Sequence, residues 1–129
     1  FSKLQLVGLG QVGHKKPSEL SGGMRKRAAL ARALVMDPEL LFFDEPSAGL
    51  DPETSKDLDK LLIHLKQKLG VTMVVISHEL ISIQRIADRF IFIHDGNIAY
   101  NGPLPETTNT ELPSPVRRFF ASGKVQLKK

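Results

Sequence analysis

Two neighbouring carboxylates, Asp44 and Glu45, follow four consecutive apolar residues, Leu40-Leu41-Phe42-Phe43. An apolar run this short reads as a strand buried on both faces, the habit of parallel sheets. Ligands of open α/β sheets sit beyond the carboxyl ends of the strands, where such a strand delivers its acids. Successive residues leave a strand on opposite sides, so the two carboxylates can take separate roles. One can hold a hydrated Mg2+ while the other polarises a water. Adjacent acids in a partly buried place repel each other unless a cation or partner offsets them. An exposed acidic turn is the plainer alternative, and the apolar lead-in weighs against it.

His78 follows a second apolar run, Val71 to Ile76, much as Asp44 follows the first. If the two strands are parallel neighbours, His78 shares a sheet edge with Glu45. An imidazole there can hydrogen-bond a phosphate oxygen or orient a water. His14, His64 and His94 lack that context and read as surface or packing residues. Ser21-Gly22-Gly23 opens a helix whose first turn holds no acid and is followed by Arg25, Lys26 and Arg27. Free N–H groups on bare glycine backbone suit an approaching phosphate. A Ser-capped helix with a glycine turn accounts for the same residues equally well.

Gly8, Gly10 and Gly13 match G-x-G-x-x-G, but the context of a dinucleotide site is missing. Pro17 would interrupt the helix that such a turn must open, and no acid-terminated second strand follows about 20 residues later. A phosphate-cradling P-loop fails too, because His14 stands at its lysine position. A flexible glycine-rich loop is the expectation there.

These residues need elements to position them. Met24, Ala28, Ala31 and Val35 recur at helical spacing, with Ser21 as cap and Asp37-Pro38 as stop. Asp51-Pro52 marks a second helix start, Leu58, Leu61, Leu62, Leu65 and Leu69 its apolar stripe, and Gly70 its end. A shorter helix places Leu80, Ile83 and Ala87 on one side. Phe90–Ile93 and Ile98–Tyr100 flank Asp95-Gly96, a strong hairpin signal. After Gly102, Pro103, Pro105, Pro113 and Pro115 bracket a polar stretch that reads as a linker, and residues 116–121 can form a turn or two of helix. The order of strands and helices is that of an α/β layered fold.

Composition agrees with that class. The 129 residues are 41% apolar and 25% charged, the balance of a folded globular domain. No apolar run approaches the roughly 20 residues of a membrane span. The first residues do not form a secretory signal, and zero cysteines exclude a disulfide scaffold, a thiolate zinc site and a Cys nucleophile. A cytosolic setting is the expectation. The net +4 is unevenly placed: residues 37–115 carry thirteen acids against six bases, while both ends are basic. Basic ends suit polyphosphate or nucleic acid, and equally a solvated surface.

The motifs together resemble those of ABC-type ATPases. Leu20-Ser21-Gly22-Gly23-Met24 looks like the signature motif, Leu40 to Glu45 the Walker B strand, Ser47-Ala48-Gly49-Leu50-Asp51 the D-loop, and His78 the switch histidine. Over residues 17 to 102 the order and spacing match. The resemblance implies a partial P-loop NTPase domain of α/β class, a mainly parallel sheet flanked by helices, with the N-terminal half missing. It implies residues 1–104 as the C-terminal part of the nucleotide-binding domain, and residues 105–129 as a linker and extension. It further implies Asp44 for Mg2+ through water, Glu45 as general base and His78 on the γ-phosphate. Ser21, Gly22 and Gly23 would contact ATP held by a second copy in a head-to-tail dimer, and Asp51 would couple the two sites.

Met24 departs from the usual signature glutamine, and the P-loop, the adenine-stacking aromatic and the Q-loop glutamine are not in the chain. On its own the chain is therefore expected to bind ATP poorly and hydrolyse it negligibly. The Ser21–Ala33 run and Val116-Arg117-Arg118-Phe119-Phe120 are similar to the Mla-type, or toluene-tolerance, ATPases of bacterial lipid transport. That likeness implies an ATP-hydrolysing subunit on a membrane permease, peripheral to the cytoplasmic face of a bacterial membrane, with no direct nucleic-acid partner. It makes Phe119 and Phe120 candidate interface anchors, the alternative being packing onto their own domain. A soluble ABC ATPase acting on ribosomes or DNA, and a non-catalytic interaction fragment, are the competing readings.

Overall fold

The computed structural model describes residues 2–104 and 111–123. It contains two compact units, Phe1–His78 and Glu79–Lys129.

The first unit is α/β. A short helix α1, Ser2–Leu6, leads through a 3-10 turn at Gly10–Val12 and another at Pro17–Glu19 into α2, Gly22–Ala33. The glycine-rich stretch is thus a helix and turns, in place of the flexible loop expected. A 3-10 turn, Leu34–Met36, ends α2 at Asp37, which adopts φ 48 and pairs with Lys3. The buried stripe runs through Leu30, Ala31 and Leu34, while Val35, expected on it, is exposed. The tightening from α to 3-10 after Ala33 rotates Val35 off the buried face.

Strand β1, Leu40–Asp44, pairs in parallel with β2, Thr72–Ile76, in the register Asp44↔Ile76. Between them lies α3, Pro52–Leu69, capped by Asp51 and closed by Gly70 at φ 65. Leu58, Leu62 and Leu65, spaced four and three apart, are its buried stripe. Each contributes about 1.5–3 kcal/mol by leaving water. The strands are not buried on both faces as the apolar runs suggested: Leu41 is buried, whereas Leu40, Phe42, Val74 and Ile76 are exposed. Alternate residues point to opposite sides, and the side that Leu40, Phe42, Val74 and Ile76 occupy is left largely exposed.

The second unit is built around a hairpin. Helix α4, Leu80–Ile86, precedes β3, Arg89–His94, which pairs antiparallel with β4, Asn97–Pro103. Asp95 at φ 49 and Gly96 at φ 73 are the two loop residues, and positive φ at both matches the twist of the flanking strands. Helix α5, Ser114–Gly123, packs with α4 and β4. Leu80, Ile83, Phe90, Leu112, Val116 and Phe120 form the buried cluster. Phe90 lies at its aromatic centre, with ring centroids 5.5 Å from Phe120 and 6.3 Å from Phe119. Phe119 and Phe120 pack onto their own unit, the alternative named above: Phe120 is buried and Phe119 partly so. Helix α5 begins two residues before Val116, with Pro115 in its first turn, where a missing N–H costs nothing. Residues 105–110 of the expected linker, and the end of the chain from 124, lie outside the described residues.

Candidate functional site

Parallel pairing of β1 and β2 carries both strand ends to one edge. The Glu45 N–H continues the ladder by donating to the Ile76 carbonyl at 2.9 Å. Glu45 then turns into the left-handed region at φ 46. A non-glycine residue in that region costs about 1–3 kcal/mol and persists only where surrounding contacts hold it. Three do so here. Besides the Ile76 bond, the Glu45 carbonyl accepts from the Ala48 N–H at 3.1 Å and from Lys26 Nζ at 3.2 Å.

The turn brings the Glu45 carboxylate to His78. Glu45 Oε1 lies 2.6 Å from His78 Nδ1. A carboxylate only accepts, so Nδ1–H is the donor and the imidazole is oriented by the bond. A neutral His78 then presents Nε2 as an acceptor; to donate from Nε2 as well it must be the imidazolium. Glu45 Oε2 is shut from solvent with no hydrogen-bond partner among the described residues. An unsatisfied buried carboxylate oxygen is costly and marks a place for a donor. Asp44, one residue earlier, is exposed at the strand end. Together with Lys26, Phe42 and Pro46 it borders a shallow cavity of about 220 Å³.

Mg2+ fits this donor set in one way only. Among the described residues no three His, Cys, Asp or Glu side chains converge on a metal position. A lone Asp44 carboxylate would be this chain's share for an ion that keeps its waters and takes other ligands from phosphates.

Ser21 and the glycines open α2. Ser21 Oγ accepts from the Met24 N–H at 3.2 Å, so the serine is an N-cap. Ser21 and Gly22 are exposed, and no acid stands in the first turn. Gly23 has a packing role: a Cβ there would lie 2.7 Å from Thr54 Cγ2 on α3. Asp51 caps α3, its Oδ1 accepting from the N–H groups of Glu53 at 3.1 Å and Thr54 at 3.0 Å. Its Oδ2 accepts from Thr54 Oγ1 at 2.5 Å. The Thr54 hydroxyl, and then the Thr54 N–H, hold the Asp51 carboxyl below its ordinary value. The Asp51 side chain is thus engaged with its own helix.

The structure brings Glu45 and His78 into contact and sets Asp44 beside them; Ser21, Gly22, Gly23 and Asp51 lie at the N-termini of α2 and α3, linked through Gly23 and Thr54. His14, His64 and His94 are exposed. Sequence reasoning named Lys26 only among the basic residues after the phosphate-suited helix start and missed its reach to Glu45. It also missed Thr54, although a hydroxyl three residues after a capping Asp is a legible capping pattern.

A signature-type helix start, an acid-terminated strand and a histidine that follows the neighbouring parallel strand are the features by which the chain resembles an ABC-type ATP-binding domain. Residues 2–48 match the ABC transporter family. It is 48% identical over 121 residues to the intermembrane phospholipid transport system ATP-binding protein MlaF of Escherichia coli, covering 94% of this chain and 44% of that protein. It is 39% identical over 119 residues to the methionine import ATP-binding protein MetN 1 of Listeria monocytogenes, covering 92% of this chain and 35% of that one. It superposes on the crystal structure of an ATP-binding cassette of an ABC transporter in its ADP conformation with a TM-score of 0.74 and 32% identity, covering 80% of this chain and 40% of the other. The chain spans less than half the length of each of these relatives.

Proposed function

We propose that this chain supplies one part of an ATP-hydrolysing subunit that drives a membrane transporter. The observation that carries the reading is the Glu45 carboxylate, oriented by His78 at 2.6 Å and left with a buried, unpartnered Oε2 at the end of a parallel strand. In this reading the Glu45 carboxylate takes a proton from the water that attacks the γ-phosphorus, while His78 fixes the carboxylate and, as the imidazolium, donates from Nε2 to a γ-phosphate oxygen. Asp44 would hold Mg2+ through water, and the ion when bound neutralises phosphate charge. Ser21 with the backbone of Gly22 and Gly23 would meet ATP carried by a second copy, across a head-to-tail dimer. Asp51, tied to α3, would act on that dimer interface through the helix it caps.

The partner is a membrane permease, and the place is the cytoplasmic face of the membrane. No described helix is long and apolar enough to cross a bilayer. Phospholipid is the cargo favoured by the 48% identity to MlaF over 121 residues, against 45% over 103 residues to a methionine importer, MetN of Streptococcus pneumoniae, and 38% over 122 residues to an iron importer, FbpC 1 of Rhizobium meliloti. The test is ATP hydrolysis by the complete protein reconstituted with its permease. Stimulation by phospholipid and not by methionine or ferric ion is expected. Stimulation by either of the others would overturn the cargo, and no hydrolysis at all would overturn the ATPase reading.

A further inference from the structure

We propose that Lys26 is a positioning residue for Glu45, a strut that ties the alignment of the general base to the helix carrying Ser21-Gly22-Gly23. The proposal rests on the ATPase reading and deepens it. Glu45 stands in a left-handed backbone conformation, at φ 46, and that conformation turns its carboxylate onto His78. Two of the three bonds holding this backbone come from the sheet ladder and the following turn: Glu45 N–H to the Ile76 carbonyl, and Ala48 N–H to the Glu45 carbonyl. The third arrives from another element altogether. Lys26 reaches from α2, half-buried, and its Nζ donates to the Glu45 carbonyl at 3.2 Å.

Among the described residues that ammonium makes no ion pair, so its tie within the unit is to a main-chain carbonyl and not to a carboxylate. A partly desolvated ammonium satisfied by a carbonyl is a directional restraint, because a charged donor binds about twice as strongly as a neutral one. Lys26 lies five residues after the Ser21 cap, on the same rigid helix, whose first turn is fixed by the Arg25 N–H to Ser21 carbonyl bond at 2.9 Å. A shift of the α2 N-terminus is therefore carried to the peptide that sets the direction of the Glu45 side chain. Phosphate engaged at Ser21-Gly22-Gly23 and the base at Glu45 serve different nucleotides in the proposed dimer. Lys26 gives one a mechanical bearing on the other within a single chain.

The test uses the complete protein and reads hydrolysis inside the ATP-bound dimer by single turnover. Lys26→Met, which keeps the length and apolar stem but removes the donor, should slow hydrolysis by about tenfold to a hundredfold, the scale of a misplaced catalytic group. ATP affinity and ATP-driven dimerisation should stay within twofold, and Lys26→Arg, which restores a donor, should recover most of the rate. Loss of affinity and dimerisation in proportion to rate would show mere damage to α2 and overturn the proposal. Unchanged single-turnover hydrolysis in Lys26→Met would overturn it as well. Glu45→Gln separates the two failures: stalled Glu45→Gln beside an unaffected Lys26→Met removes the strut alone, whereas turnover surviving Glu45→Gln removes the ATPase reading beneath it.

Discussion

Gly23 offers the sharpest test of how the site is assembled, because two explanations of it give opposite results. Placing a methyl at position 23 puts Cβ 2.7 Å from Thr54 Cγ2, about 1 Å inside an ordinary carbon–carbon contact. Thr54 cannot swing its methyl aside without cost, since its hydroxyl is bonded to Asp51 Oδ2 at 2.5 Å. Overpacking of this kind costs about 1–3 kcal/mol, and replacing a helical glycine by alanine returns up to about 1 kcal/mol. Gly23→Ala should therefore destabilise the complete protein. Thr54→Ser deletes only Cγ2 and keeps the hydroxyl that serves Asp51. In that background Gly23→Ala should be neutral or stabilising, giving a coupling energy on the order of 2 kcal/mol in a double-mutant cycle read by urea denaturation. Additive effects, within about 0.5 kcal/mol, would refute the packing argument. A glycine retained only to admit a ligand would show intact stability, lost ATP-driven dimerisation and no recovery with Thr54→Ser.

Three further outcomes follow from the same geometry. Phe120→Ala removes a buried ring that packs on Phe90 and should cost about 3–5 kcal/mol by denaturation; a loss below about 1 kcal/mol would contradict its place in the second core. The Asp51 carboxyl is held below its ordinary value by the Thr54 hydroxyl and the Thr54 N–H, so its stabilising contribution is complete above that ordinary value and disappears as pH falls through the lowered one. Asp51→Asn keeps a cap without that titration, so acid denaturation between about pH 5 and 3 should become less steep; an identical profile would show that the cap does not titrate as argued. His78→Ala should lower kcat without abolishing ATP affinity, since it orients Glu45 and adds a single bond to the γ-phosphate; loss of ATP binding altogether would contradict the assignment.

Local signals carried much of this structure, and the reasons are visible in particular residues. Asp51-Pro52 and Gly70 bound α3 because caps act within a turn of the residues they satisfy, and Asp95-Gly96 marks the hairpin because few residues tolerate two positive φ values in succession. The meeting of Glu45 and His78 followed from a single inference, that two apolar runs ending in polar residues lie parallel. What was not legible depends on long-range packing. The five residues of α1 are too few to show a helical period. The left-handed turn at Glu45 and the reach of Lys26 to its carbonyl exist only once α2 lies against the strand end. Asp59, charged yet buried on α3, breaks the pattern by which polar residues are assigned to the surface. Apolar content also misled: Leu40, Phe42, Val74 and Ile76 promised a strand pair covered on both faces, and alternation along the strands leaves one side largely exposed.

The central claim is that Glu45, held by His78, is the base that activates water against ATP. Its most direct test is Glu45→Gln in the complete protein, with ATP binding, dimerisation and hydrolysis measured on the same preparation. Glutamine is nearly isosteric and can still meet His78, but it cannot take a proton. Unimpaired ATP binding, an ATP-bound dimer that accumulates, and hydrolysis slowed by about a hundredfold or more are expected. Turnover close to that of the unaltered protein, with no trapped dimer, would contradict it.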